Sequence, residues 1–209
     1  MSTRDAKDAT RPVLASTRLH EGRVFDLVAD EVRLEADDAE PVVREYLDHP
    51  GAVAILALRG DDDDAELLLV RQYRHPVRAM LWEIPAGLLD VAGEDYLEAA
   101  RRELYEEADL RADRWHVLVD YFTSPGGSDE SLRIYLARDV TEVAPEQRHE
   151  RSEEERDMAT RWVKLEDAVA AVHSGALHNP SAVTGVLAAA SARAQGWAPL
   201  RDAHAEWMR

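Results

Sequence analysis

Residues 87–110 read GLLDVAGEDYLEAARRELYEEADL. Leu97, Ala100, Leu104 and Ala108 recur at intervals of three and four, the spacing of one buried helical face over residues 95–108. The end of that helix, RRELYEEAD, holds four carboxylates in seven residues. Negative charge is poorly placed there. A helix C-terminus is itself partially negative and costs an acidic residue up to about 1 kcal/mol. Glu103 and Glu107, four residues apart, repel by a further ~0.2–0.5 kcal/mol. They share one face, with Glu106 one position round and the apolar face anchoring the helix to a core. An arrangement that unfavourable is explained if a hard divalent cation sits on the carboxylates, since such ions take oxygen ligands. A solvated acidic helix end would look the same locally, with Arg102 pairing to Glu98 and Glu106 across single turns.

Working outward, the whole chain bounds the function. It has 209 residues, 45% of them hydrophobic, enough for one globular domain with terminal arms or for one and a half domains. There are no cysteines, which excludes disulfides and zinc-thiolate centres. The 42 acidic and 25 basic residues give a net charge of −17. That argues against gripping a nucleic acid backbone by charge. It leaves room for a phosphate-bearing substrate, because a cation can bridge protein carboxylates and substrate phosphates. The first sixteen residues contain no apolar segment of signal-peptide type, and AVAILAL and ELLLV are only strand-sized, so a cytoplasmic, non-membrane protein is expected.

Around the helix the text alternates like strands. Residues 17–43 read as a pair of strands, followed by a strand ending near Leu58, a hairpin loop at RGDDDDAE and a return strand at LLLVRQYRH. LWEIPAG, WHVLVDYF, SLRIYLARDV and ATRWVKL are further strands. Two later helices are expected, one stopped by Gly175 and one started at Asn179 or Ser181 with Pro180 in its first turn. The balance of strands and hairpins over helices predicts an α+β or mixed-sheet α/β sandwich. The tail, GWAPLRDAHAEWMR, has two tryptophans that should pack on something.

The wider pattern resembles the Nudix hydrolase signature, G-x5-E-x7-R-E-U-x-E-E-x-G-U. Gly87, Glu94, Arg102, Glu103, Leu104, Glu106, Glu107 and Leu110 supply its spaced positions. Two departures are visible. Six residues rather than five separate Gly87 from Glu94, a form similar to that of actinobacterial ADP-ribose pyrophosphatases. Asp109 stands where the signature has glycine, and in a left-handed helix cap it should cost local stability that glycine would restore. Pro125, about fifteen residues past the signature, is a weaker cue for ADP-ribose. The likeness runs over roughly residues 17–190.

That resemblance implies a Nudix-type α/β/α sandwich with an N-terminal strand arm. It divides the chain into a flexible arm (1–16), dimer-forming strands (17–45), the Nudix hydrolase domain (46–195) and a C-terminal tail (196–209). It implies magnesium, with manganese as a substitute, held by Glu103, Glu106, Glu107 and the carbonyl of Ala86. Arg102 and Glu94 would orient the glutamates. Glu155, or Glu154 next to it in the acidic loop ERSEEERDM, would be the general base. Arg44, Arg74 and Glu83 would touch the adenine, ribose or phosphates, and Ser128, Asp129 and Glu130 would approach the terminal ribose. Each of Arg44, Arg74 and Glu83 would serve equally as half of a structural ion pair. The implied activity is cleavage of ADP-ribose to AMP and ribose 5-phosphate by a homodimer with swapped N-terminal strands. Three alternatives remain open at this level: a Nudix hydrolase of a nucleotide sugar or NADH, a non-catalytic ADP-ribose-binding regulator, and an acidic magnesium-binding protein without turnover.

Overall fold

The computed structural model describes residues 3–34, 40–60, 64–149 and 158–209. It divides into two compact units, the first built from residues 1–51, 122–131 and 206–209, the second from 52–121 and 132–205.

The first unit is an antiparallel sheet of β1 (Val13–His20), β2 (Asp26–Val32) and β3 (Val42–Asp48), in that order. The pair of strands expected over residues 17–43 is thus β1 and β2, with β1 starting earlier at Val13, and β3 is a separate third strand. Every residue of β1 is exposed, including Val13, Leu14 and Leu19, while Val28 of β2 is buried. The turn in TSPGGSDE follows its Pro-Gly-Gly chemistry. Gly127 N–H closes it on Ser124 O at 2.9 Å, and Leu47 N–H of β3 donates to Gly127 O at 3.0 Å.

The second unit carries β4 (Ala52–Arg59), β5 (Glu66–Arg74), β6 (Ala79–Glu83), β7 (Ala86–Leu88), α1 (Tyr96–Ala108), β8 (Leu110–Phe122), β9 (Ser131–Glu142), β10 (Ala159–Lys164), α2 (Leu165–His173), α3 (Pro180–Ala194) and β11 (Arg201–Asp202). Only Phe122 of β8 and Ser131 of β9 fall in the first unit. The sheet order is β10-β5-β4-β9-β8-β11, with β6 on β5 and β7 on β4. The mixed sheet expected from the sequence is realised at the centre, where β4 and β9 run parallel, Ala52 opposite Leu132 through Ala57 opposite Ala137. A parallel pair cannot be joined by a tight turn and reads as a continuous apolar run, which is what AVAILAL is.

Both faces of β4 are buried, and its side chains divide between two cores. Ala54, Leu56 and Leu58 join Leu165, Ala182, Val186 and Ala189 of α2 and α3. Val53, Ile55 and Ala57 join Leu97, Ala100 and Leu104 of α1. This period-two division makes the mixed-sheet α/β/α sandwich. Gly185 lets α3 lie close, since a Cβ there would meet Ile84 Cδ1 at 3.3 Å and Leu56 Cδ1 at 3.4 Å. Asn179 caps α3 by accepting from Ala182 N–H at 2.9 Å, with Pro180 in the first turn.

Residues 196–205 of the tail pack on this unit, whereas 206–209 belong to the first. Trp197 packs on the α2/α3 side, and β11 pairs with β8, Arg201 opposite Val117. Beside it Arg133, 1% exposed, donates Nε to Asp120 Oδ1 (2.8 Å), Nη2 to Asp120 Oδ2 (3.0 Å) and Nη1 to Ala205 O (2.9 Å). Arg201 Nη1 donates to the same Asp120 Oδ2 at 3.0 Å. Burial works against the charge on Arg133, yet Asp120 holds the guanidinium above the ordinary arginine range.

Candidate active site

The acidic helix is set by its two ends. Asp95 is the N-cap, its side chain accepting from Leu97 N–H at 2.9 Å. Asp109 closes the other end in the left-handed region, φ 52° and ψ 39°, with its N–H on Tyr105 O at 2.9 Å. The cap conformation is the one anticipated for the glycine position. The sequence reading missed what the side chain does: Asp109 Oδ1 accepts from His149 N–H at 3.0 Å.

Between these caps α1 docks on the turn before β7. Ile55 N–H donates to Pro85 O at 2.8 Å and Ala86 faces Ala54 across the β4–β7 pair, which fixes the turn to the central strand. Ala86 N–H in turn donates to Glu107 Oε2 at 3.0 Å. Gly87 is required by space. A Cβ there would fall 2.0 Å from the Glu103 carboxylate, so any side chain would displace Glu103. Glu103 and Glu107 are therefore held against backbone and are 8% and 7% exposed.

Arg102 gathers the remaining carboxylates. Its Nε and Nη2 donate to the two oxygens of Glu94 at 3.1 and 3.0 Å, and its Nη1 donates to Glu103 Oε1 and to Glu106 Oε2, the latter at 3.2 Å. The Glu94 hydrogen bond, offset in part by burial and reinforced by Glu103, raises the guanidinium above the ordinary arginine range. The structure thus brings together Ala86, Glu94, Arg102, Glu103, Glu106 and Glu107. Among the described residues no three His, Asp or Glu side chains converge as a metal-holding group. The glutamates are turned towards Arg102 and Ala86 N–H. The donor chemistry nonetheless fits a hard divalent ion: carboxylate oxygens, two of them on buried side chains, round a single guanidinium.

The other sequence candidates fall elsewhere. Arg74 and Glu83, on β5 and β6, form a bidentate ion pair (2.9 and 2.7 Å) in which Glu83 is buried and Arg74 half-exposed. In the first unit Arg44 is exposed on β3, its Nη1 on Val43 O at 3.0 Å. It lines a cleft of about 360 Å³ with Tyr46, Phe122, Pro125, Ser128 and Asp129. There Ser128 Oγ donates to Leu47 O (3.2 Å), Asp129 Oδ1 accepts from His49 N–H (2.9 Å) and Glu130 Oε2 accepts from Thr123 Oγ1 (2.6 Å), so all three side chains brace the turn. Glu154 and Glu155 lie outside the described residues. Tyr105 occupies a variable position of the signature, and its hydroxyl donates to Gln147 O at 2.7 Å. No spacing in the sequence points to that contact.

A glutamate-bearing helix seated through a glycine on the central layer of an α/β/α sandwich defines a hydrolase scaffold of the Nudix kind. The NUDIX domain model matches residues 48–182, and the chain belongs to that family. Members of the family generally work with a divalent metal ion. An ADP-ribose pyrophosphatase of Mycobacterium tuberculosis is 45% identical over 196 residues, 93% of this chain and 90% of its own length. One of Bacillus subtilis is 34% identical over 168 residues, 80% of this chain and 86% of its own. In fold the chain is similar to a crystal structure of an ADP compounds hydrolase, with a TM-score of 0.72 at 19% identity, covering 92% of this chain and 99% of that one. Among the described residues no helix is long and apolar enough to cross a membrane.

Proposed function

We propose that this Nudix hydrolase is a cytoplasmic, magnesium-dependent ADP-ribose diphosphatase that releases AMP and ribose 5-phosphate. The observation that carries it is the set of helix glutamates held in place, Glu103 against Gly87, Glu107 on Ala86 N–H and Glu106 on Arg102, in a chain 45% identical to an ADP-ribose pyrophosphatase over 93% of its length. Glu103, Glu106, Glu107 and the Ala86 carbonyl would hold magnesium or manganese. The bound ion supplies charge neutralisation for the diphosphate and acidifies a water. Arg102, locked by Glu94, keeps Glu103 and Glu106 in place. Attack of water on one phosphorus breaks the P–O–P bridge, and the water's proton passes to Glu155, with Glu154 next in order. Glu155→Gln should then lower kcat by roughly 10²–10⁴, while magnesium-dependent substrate binding survives. If Glu155→Gln keeps its rate and Glu154→Gln loses it, the base is Glu154.

Residues 46–195 would carry the chemistry. Arg74, Glu83 and Arg44 would serve the adenosine and phosphates, and Ser128, Asp129 and Glu130 the terminal ribose. The exposed apolar side chains of the N-terminal sheet, Val13, Leu14, Leu19 and Val43, support a homodimer formed through residues 17–45. Deleting residues 1–45 should remove dimer and activity together, and deleting 1–12, which precedes β1, should remove neither. An active monomer by sedimentation at assay concentration rules the dimer out. The deciding experiment for the activity is release of AMP from ADP-ribose with magnesium, beside nucleotide sugars and NADH. A clearly faster nucleotide sugar or NADH would replace ADP-ribose as the substrate.

A further inference from the structure

We propose that Tyr105 and Asp109 are positioning residues: together they clamp residues 143–149 onto the last turn of the acidic helix. The link to turnover rests on the function proposed above. Tyr105 lies in the last turn of α1 and Asp109 is the left-handed cap that closes it. Asp109 O accepts from Val143 N–H at 2.9 Å, and Asp109 Oδ1 accepts from His149 N–H at 3.0 Å. Tyr105 Oη donates to Gln147 O at 2.7 Å, and its ring meets that of His149 edge-on, centroids 6.0 Å apart. The gripped segment is itself braced, by a 3-10 turn at Pro145–Gln147 and by Arg148 Nε on Val143 O at 3.3 Å. It is therefore held at its start, middle and end by one helix turn.

The clamp accounts for an aspartate in a left-handed cap, where glycine is free of strain. Glycine would keep the Val143 bond, which uses the backbone carbonyl, and would lose the His149 bond, which uses the carboxylate. Asp109 is 8% exposed, so that carboxylate bonds to an amide in a poorly hydrated place, where such a bond counts most. The consequence for chemistry is positional. Glu106 and Glu107 lie between Tyr105 and Asp109 in the chain, and His149 directly precedes the acidic segment to which the general base is assigned. The same stretch of chain thus carries Glu106 and Glu107 and holds His149, from which the segment assigned the base departs.

The test compares the full-length wild type with Asp109→Gly, Asp109→Asn and Tyr105→Phe. Amide hydrogen exchange without substrate reads the clamp directly. Asp109→Gly should speed exchange at His149, Asp109→Asn, which keeps a carbonyl acceptor, should restore most of the protection, and Tyr105→Phe should loosen residues 145–149. In steady-state assays Asp109→Gly should lower kcat about tenfold or more, the scale of a small misplacement of reacting groups, with KM within about twofold and partial rescue by Asp109→Asn. Unchanged exchange at His149 in Asp109→Gly overturns the clamp. Faster exchange with kcat unchanged overturns the positioning role while leaving the proposed activity intact. A wild type that cleaves no diphosphate overturns the activity, and the exchange comparison still decides the clamp.

Discussion

Two arginines in the second unit sit at the centre of ion-pair clusters, and they are built to opposite rules. Arg102 is half-buried, with three carboxylates, Glu94, Glu103 and Glu106, sharing its guanidinium. Arg133 is buried, and there two guanidiniums, Arg133 and Arg201, share one carboxylate, Asp120, while a backbone carbonyl takes a further donor. Both arginines are held above their ordinary pKa range, so pairing strength does not separate them. The count of partners does. A cluster with more carboxylates than cations has charge to offer an incoming metal. A cluster with its donors met has nothing to offer and serves as a rivet between β8, β9 and the tail. A buried ion pair is therefore read for function by its surplus rather than by its energy.

The comparison is broken most severely from the acidic side. Glu103→Gln and Glu107→Gln should each cut magnesium-dependent turnover by orders of magnitude, while melting temperature in metal-free buffer holds or rises, because like charges near a helix C-terminus have been removed. Wild-type rates in both variants would refute the metal assignment, and a clear drop in metal-free melting temperature would give these glutamates structural roles. Next in size is Asp120→Ala. It strands the buried Arg133 charge and should cost about 3 kcal/mol, read as a fall of roughly 6–12 °C in melting temperature for a chain of this size. Turnover per folded molecule should stay at wild type. A loss of rate without loss of stability would show that the Arg133 cluster is not merely a rivet.

Arg102→Lys sharpens the contrast. It keeps one positive charge but loses the planar fork that grips Glu94 while also reaching Glu103 and Glu106. The expected cost is about tenfold in turnover, the lower end for a group that orients metal ligands, with a larger KM for magnesium than for substrate. A lysine variant indistinguishable from wild type would mean that charge alone suffices. The smallest effect concerns His116, which lies near cations outside either cluster. Burial first, then Arg138 and Arg114, lower its pKa, with Asp202 opposing. Below about pH 6.5 the unfolded chain therefore takes up a proton that the folded chain does not. Stability should decline as pH falls through that region, down to the folded pKa, and show no contribution from His116 above it. Urea unfolding at pH 7.5 and 5.5 checks this, and His116→Gln should reduce the difference between the two.

These clusters also show what a sequence can and cannot reveal. Arg102, Glu103, Glu106 and Glu107 lie on one helix whose apolar period is plain, so their grouping follows from the spacing, whereas Glu94, which precedes the helix, joined them only through the resemblance to the signature. Asp120, Arg133 and Arg201 come from three strands, and no local pattern connects them. The tail showed only two tryptophans in need of a surface, and nothing in its text announced that it pairs with β8. Asp109 was legible in conformation, because the cap position dictates it. Its bond to His149 spans forty residues and was not. Gly87 was legible as a signature position, and its reason, the Glu103 carboxylate pressed against it, became visible only with α1 in place. The hairpins were read from turn residues, whereas the parallel partner of β4 carries no turn to advertise it.

That parallel pairing has a consequence for how the protein is made. Ala52 of β4 waits for Leu132 of β9, eighty positions later. At about 5–20 residues per second, a ribosome needs roughly 4–16 s to cover that distance. β5 and β7 are synthesised sooner, but β5 pairs only at Leu58 and Arg59, and β7 only at Ala52, Val53 and Ala54. Until β9 emerges, AVAILAL has one side of its backbone without its final neighbour, in a segment with the apolar, uncharged composition that self-associates readily. Slower elongation or a truncated transcript lengthens that exposure without altering a single contact of the finished molecule. A nascent chain stalled before residue 132 would keep that side of β4 open for as long as it is stalled.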